Sequence, residues 1–260
     1  ESEYHKTDWG SQYVHGGYDK SGPSQDEIDK VAKYGGFYVG RYEAGLADTI
    51  KEYTGNQRSG SNNSPGYNVT GIPKSKVGEL PWVFINYTNS KNSAKKMYEN
   101  NDYVTSDIIT GTQWDVMLNK FIGTTNDNSV IFTEEDMKNS SKWGNYANSA
   151  TKYTGRSATI FKKDAWYLTP WGEKQTDATT ATYTEYTTGA SKKTESYHIY
   201  DVAGNVWEWT DEIGQGSSYR IYRGGSCFNA SVTYPVSYRQ SYEISDVLCN
   251  FGFRAVLYIK

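Results

Sequence analysis

The chain has little of what reactive centres are usually built from. Its 260 residues hold two cysteines, three histidines, three methionines and six prolines. Two cysteines cannot make a disulfide framework, and the spacing of Cys227 and Cys249 fits no zinc motif. His5, His15 and His198 are scattered, so no metal-type cluster forms around them and they read as ordinary polar side chains. Charge of either sign is not in excess: 27 Lys and Arg against 30 Asp and Glu, for a net charge of −3. That balance excludes the basic footprint of a nucleic-acid binder, and no polybasic run marks a membrane surface. No apolar run is long enough to cross a bilayer, and no signal-peptide pattern is visible. Neither nucleic acid nor membrane insertion is expected.

What the chain does have is tyrosine, tryptophan and glycine, with 24, 8 and 25 copies respectively. Gly, Ser, Asn and Tyr together are the vocabulary of adaptable binding loops, where tyrosine gives rigid contact area at low entropic cost. The plainer alternative is a loop-rich β or α+β domain that fills its core with Tyr and Trp. The length buries a large core without staples, and no repeat or linker divides it, so a single domain over 1–260 is expected.

Residues 1–23 are polar and Gly-rich and read as an N-terminal arm. Ser24 and Glu27 make a capping box for a helix whose apolar stripe is Ile28, Val31 and Ala32, stopped by Gly35. Phe37–Ala44 alternates as a strand. Residues 45–76 read as loops, 81–88 as a short strand, and 89–100 as a helix with Ala94, Met97 and Tyr98 inward. Thr110 and Gln113 make a second capping box. Behind it, Trp114, Met117, Leu118 and Phe121 recur at helical spacing and belong to the core. Residues 124–193 show no sustained period, yet Trp143, Trp166 and Trp171 argue for packing rather than disorder. YRIYRGGS reads as a strand, and FGFRAVLYI closes the chain as another, tied into a sheet.

The strings DVAGNVWEWT, YRGGS and GFRAV, in that order and spacing, resemble the formylglycine-generating enzyme (sulfatase-modifying factor) family. GGFYVGRYEA and TGTQWDVMLNKF resemble earlier passages of the same family. The resemblance implies an α+β, C-type-lectin-like fold of the formylglycine-generating-enzyme type, here with long irregular insertions. The family's oxidases bind copper through two cysteines, the first three positions after RGGS and the second five further on. Those positions are Asn229 and Tyr234, which supply no thiolate, so a catalytic centre is not expected. The likeness is closer still to the variable proteins of diversity-generating retroelements. In these, a reverse transcriptase rewrites the 3′ end of the gene at adenines and a lectin-like scaffold displays the result. RGGS, PVSYR and GFRAV would be frame, and 223–260 would contain the variable region. Between Cys227 and Asn250 there is no Lys, Met or Trp, as adenine mutagenesis of Asn codons would give, with Gln240 and Glu243 as exceptions.

On this resemblance the ligand-binding residues are Cys227, Phe228, Asn229, Val232, Thr233, Tyr234, Gln240, Tyr242, Glu243, Asp246, Leu248 and Cys249, with Tyr and Phe as anchors. The two cysteines are expected as free thiols on or near the variable face, a disulfide between them being the alternative. Arg223 and Arg254 hold the scaffold. The ligand is a macromolecule, a protein or cell-surface component, met on a virion tail or a bacterial surface. No Glu-Pro-Asn or Gln-Pro-Asp triplet marks a sugar site. No cofactor is required. A structural calcium is the one metal the family implies, held by the Asp201 and Glu208 carboxylates and the Gly204 and Val206 carbonyls. The alternative there is a structural turn. Two other functions stay open: a copper-dependent oxidase of the formylglycine-generating type with a differently built centre, and an undiversified phage or surface adhesin.

Overall fold

The computed structural model describes residues 23–49, 68–125, 131–148 and 185–260. The N-terminal arm and most of the irregular 124–193 tract, with Trp166 and Trp171, lie outside the described residues. The elements are α1 (Gln25–Tyr34), β1 (Tyr38–Val39), α2 (Tyr87–Lys96), β2 (Val104–Ile108), α3 (Gly111–Phe121), α4 (Glu134–Lys138), β3 (Trp207–Ile213), β4 (Tyr219–Arg223), β5 (Gln240–Glu243), β6 (Phe251–Phe253) and β7 (Ala255–Ile259). They form two sheets. One is antiparallel, in the order β1-β7-β2; the other runs β5-β4-β3-β6, with β6 parallel to β3.

The final apolar run is therefore two strands in two sheets. FGFRAV was expected to be one strand, but the chain leaves the second sheet at Phe253 and joins the first at Ala255. Arg254 makes the crossing possible. Its guanidinium donates to both carboxylate oxygens of Glu208 (3.0 and 2.6 Å) and to the carbonyls of Gly40 (2.9 Å) and Tyr200 (2.8 Å). Arg254 and Glu208 are both fully buried, so the planar fork of the guanidinium fixes three chain segments at the seam.

Two apolar clusters flank this seam. One joins Trp82–Ile85 to Trp207, Trp209, Tyr222, Phe251 and Phe253. The other packs Trp114, Leu118 and Phe121 of α3 on Phe132, Trp143, Val236, Val256 and Tyr258. The Thr110/Gln113 capping box forms as the sequence predicts, and Trp114, Met117, Leu118 and Phe121 are buried. Residues 81–88, expected as a strand, are an irregular buried segment, and the helix begins at Tyr87 because Asn86 caps it by accepting from Asn89 N–H (2.9 Å). The expected strand Phe37–Ala44 shortens to β1.

The first helix departs from expectation in its capping and its buried face. Ser24 caps it and Gly35 closes it in the left-handed conformation (φ 76°). However, the Glu27 side chain turns away from the helix start to accept from Thr110 Oγ1 (2.8 Å). The inward residues are Glu27, Val31 and Tyr34, one face at i, i+4, i+7 spacing, while Ile28 is 46% exposed and Ala32 is exposed. Burial raises the Glu27 carboxyl from 4.5 to about 7; the Thr110 hydrogen bond and Lys30 oppose this, and Asp211 and Asp26 add to it.

Two predictions follow from these buried groups. Replacing Arg254 with Met strands the Glu208 charge, and urea denaturation should show a loss of about 3–5 kcal/mol. For Glu27, the folded state holds a proton that the unfolded chain releases above pH 4.5. Its contribution to stability is therefore full below 4.5 and is lost as the pH rises to about 7. Glu27→Gln should flatten the fall in thermal midpoint across that window.

Candidate functional site: the C-terminal display face

The segment after RGGS is laid on a buried ionic centre. Arg223, Arg239, Asp115 and Glu212 are all buried. Arg223 Nη2 lies 2.9 Å from Asp115 Oδ1, Arg239 Nε lies 3.2 Å from Glu212 Oε1, and Arg239 also reaches Asp115. Arg223 further donates to the carbonyls of Tyr238 (3.0 Å) and Ser237 (3.1 Å). Burial alone would raise the Asp115 carboxyl, but Arg223 and Arg239 outweigh it and hold the group below its ordinary value. Glu212 sits at the first turn of α3, where a methyl on Gly111 would overlap its carboxylate, so glycine there allows the acid to meet the helix N-terminus.

PVSYR is held from beneath. Val236 N–H donates to Ser140 Oγ (3.0 Å), Ser237 Oγ donates to Met137 O (2.7 Å), and Trp114 Nε1 donates to Val236 O (3.1 Å). RGGS turns through Gly224 and Gly225 (φ 95° and 77°), and a Cβ at Gly225 would lie 2.5 Å from Tyr234 O. These strings are frame, as their regularity in the sequence implies.

The residues between them divide into three groups. Val232 (55%), Thr233, Tyr242 (39%) and Glu243 are exposed. Phe228, Asn229, Tyr234, Gln240, Leu248 and Cys249 are partly covered. Cys227 and Asp246 are buried, which corrects their assignment to a ligand-facing surface. Both cysteines are free thiols, but Cys227 points into the fold because its backbone follows the buried RGGS turn and donates N–H to Asn205 O (2.9 Å). Only Cys249 lies near the surface.

Gln240, Tyr242 and Glu243 lie in β5, an edge strand paired with β4 alone. Their faces are set by that register. Tyr242 packs edge-on against Phe251 (ring centroids 5.7 Å apart) and near Tyr222 (6.2 Å). Tyr234 packs edge-on against Tyr238 (5.0 Å) and Trp207 (5.8 Å), and Trp207 meets Tyr222 at 4.8 Å. One buried aromatic bed thus supports both half-open tyrosines, holding each ring with little freedom left to lose on binding. Tyr222 and Tyr238, parts of that bed, fall within strings that read only as frame.

Below RGGS, the strained turn of DVAGNVWEW is organised by Asn205 (φ 59°). Its Oδ1 accepts from Asn145 Nδ2 (2.9 Å) and Tyr186 N–H (2.8 Å), and its Nδ2 donates to Glu43 Oε2 (2.7 Å) and Tyr186 O (3.2 Å). The two carboxylates implied for calcium both have protein partners. The Asp201 carboxylate accepts from Gly189 N–H (2.5 Å) and Thr194 Oγ1 (2.7 Å), and both Glu208 oxygens face Arg254. Among the described residues no three His, Cys, Asp or Glu side chains gather as metal ligands.

The family described as sulfatase-modifying factor enzyme 1-like domain matches residues 10–259. The chain belongs to this family. No curated protein matches it. Among solved structures, Treponema denticola variable protein 1 is 18% identical over 85% of this chain and 84% of its own, with a TM-score of 0.43. CarF is 13% identical over 86% and 87%, with a TM-score of 0.45. PvdO from Pseudomonas aeruginosa is 13% identical over 69% and 62%, with a TM-score of 0.38.

The family resemblance read from the sequence implies that Asn229 and Tyr234 stand where oxidases of this family carry cysteine. Each has a different task here. Asn229 Oδ1 accepts from Ser226 N–H (3.0 Å) and Ser226 Oγ (2.7 Å), closing the turn after RGGS. Tyr234 is part of the aromatic bed. If the DVAGNVWEW turn is held by protein partners alone, chelation with EGTA and addition of millimolar calcium should both leave the thermal midpoint unchanged. A rise of several degrees with calcium would restore the metal site.

Proposed function

We propose that the protein is a non-catalytic ligand-binding scaffold whose C-terminal segment, diversified by a retroelement, recognises a protein or cell-surface component. The observation that carries this reading is the separation of roles within one short stretch. Arg223, Val236–Arg239 and Phe251–Val256 are buried and bonded to distant parts of the fold, while Val232, Thr233, Tyr242 and Glu243 between them are open. Exposed side chains such as Val232 and Thr233 can change without unfolding the domain. The half-open tyrosines on a rigid aromatic bed supply the anchor type that dominates binding energetics. A virion tail or bacterial surface is the setting such a scaffold suits. Catalysis of the family's kind lacks its thiol pair at Asn229 and Tyr234.

The reading is tested on the gene and on the protein. Deep sequencing of the 3′ coding end from a growing population should find substitutions at template adenines, confined to the codons between the RGGS and FGFRAV strings. A single invariant sequence, with no near-copy of that end beside a reverse-transcriptase gene, would refute diversification. On the protein, a library randomised at Val232, Thr233 and Glu243 should keep each member within about 0.5 kcal/mol of the parent per substitution. Comparable changes at Ser237 or Arg239 should unfold it. Incubated with copper and a cysteine peptide, the protein should form no formylglycine.

A further inference from the structure

The display segment starts and finishes on a cysteine, and its two ends are held together. Cys227 N–H donates to Asn205 O (2.9 Å), and two residues along the same stretch Trp207 N–H donates to Asn250 O (2.8 Å). The neighbours are bonded directly: Asn250 Nδ2 donates to Ser226 Oγ at 3.1 Å. Residues 226–227 and 249–250 therefore meet over one short piece of backbone. A third reactive group comes to the same place. Tyr186 is bonded to Asn205 through both its N–H and its carbonyl, which brings Glu185 beside the thiols. Glu185 as a whole is only partly covered, yet its Oε1 is sealed from solvent and has no hydrogen-bond partner. Each thiol lies within electrostatic reach of Glu185, and Cys227 also within reach of Cys249.

We propose that Cys227 and Cys249 form a redox-active dithiol that a small-molecule disulfide closes into a bond, stapling the display segment at its base. Cys249 reacts first, because it is partly exposed and Cys227 is buried. Glu185 takes the proton of the Cys249 thiol. The sulfur then attacks oxidised glutathione, a Cys249–glutathione bond forms, the S–S bond of glutathione breaks, and one glutathione thiolate leaves and is protonated by water. Glu185 passes its proton to solvent and accepts that of Cys227. The Cys227 sulfur attacks Cys249 Sγ, and the second glutathione leaves. Two thiols lose two protons and two electrons, and one oxidised glutathione becomes two reduced ones.

The surroundings explain why a base is needed. Burial raises Cys249 to about 12 and pushes Cys227 well up, which by itself makes both thiols inert. Burial raises Glu185 too, so it serves as base only at a pH high enough to strip its own proton, and the gap across which the thiol proton then moves is narrower. The chemistry stands whether or not the segment binds a ligand. Its consequence for binding is a display face with less freedom to lose.

The test is to treat the full chain with oxidised glutathione, quench in acid, alkylate the remaining thiols and map the peptides. The expected product is one cross-linked peptide pair joining Cys227 to Cys249, lighter by two hydrogens and reversed by dithiothreitol. The closed form should resist proteolysis between the two cysteines several-fold longer. Cys227→Ser should stop at a stable glutathione adduct on Cys249. Glu185→Gln should give the same cross-link at least severalfold more slowly, with its pH–rate profile displaced. Both cysteines alkylated after prolonged exposure, or an adduct persisting on Cys249 of the unaltered chain, would overturn the dithiol. These two outcomes need no variant to fold. An unchanged rate in Glu185→Gln would remove the base from the mechanism.

Discussion

Asp115, Glu212, Arg223 and Arg239 come from four separate strings of the sequence and neutralise one another where water does not reach. Desolvating four charges costs more than any one pair returns, so the arrangement is tolerable only when all four are in place. That requirement sets the site. It holds α3 by Asp115, the end of β3 by Glu212, RGGS by Arg223 and PVSYR by Arg239, and so it places the start and the middle of the display segment at fixed points. Hydrophobic contacts of comparable size would allow these strings to slide; a bonded quartet does not.

The display residues inherit their position from that constraint. Between the two arginines the chain loops out through Val232 and Thr233, and after Arg239 it enters β5. An exposed edge strand invites pairing with other chains. Here it is four residues long and carries Glu243, whose carboxylate accepts from the Tyr219 hydroxyl (3.1 Å). A short edge with a charge discourages unspecific association while leaving Tyr242 open. Aromatic anchors usually increase stickiness, but these rings are held in T-shaped contact with Phe251, Trp207 and Tyr238.

Much of this was legible in the sequence. The Thr110/Gln113 box, the α3 stripe and the frame role of Arg223 and Arg254 follow from local spacing and residue chemistry, and local rules govern them; the strand expected over YRIYRGGS stops at Arg223, where RGGS turns. What was not legible depends on partners far along the chain. Glu27 looks like half of a capping box, but Thr110, distant in sequence, offers a partly buried hydroxyl that outcompetes the helix's own N-terminus. Cys227 looks like a display residue because nothing local reveals that its N–H is taken by Asn205. Nothing local announces that Arg254 pairs with both oxygens of Glu208. Glu185 lies in a Thr- and Tyr-rich tract without period, and no sequence signal marks it. The β5 strand was missed because its alternation is polar on both faces, and only pairing with β4 reveals it.

The placement of the frame also explains where variation must stop. β6 and β7 are consecutive, but they belong to different sheets, and Arg254 between them bonds to Gly40, Tyr200 and Glu208 at once. A change anywhere in FGFRAV would disturb two sheets together, with no surface to absorb it. The segment upstream, from Phe228 to Leu248, meets the fold through PVSYR, through the rings of Tyr234 and Tyr242, and through the buried side chains of Ser231, Asp246 and Val247. The positions with least beneath them lie between RGGS and FGFRAV, at Val232, Thr233 and Glu243, on either side of the point where Val236–Arg239 descends to the ionic centre. It is the arginines, more than the residues they frame, that decide which positions of this chain are free to meet a ligand.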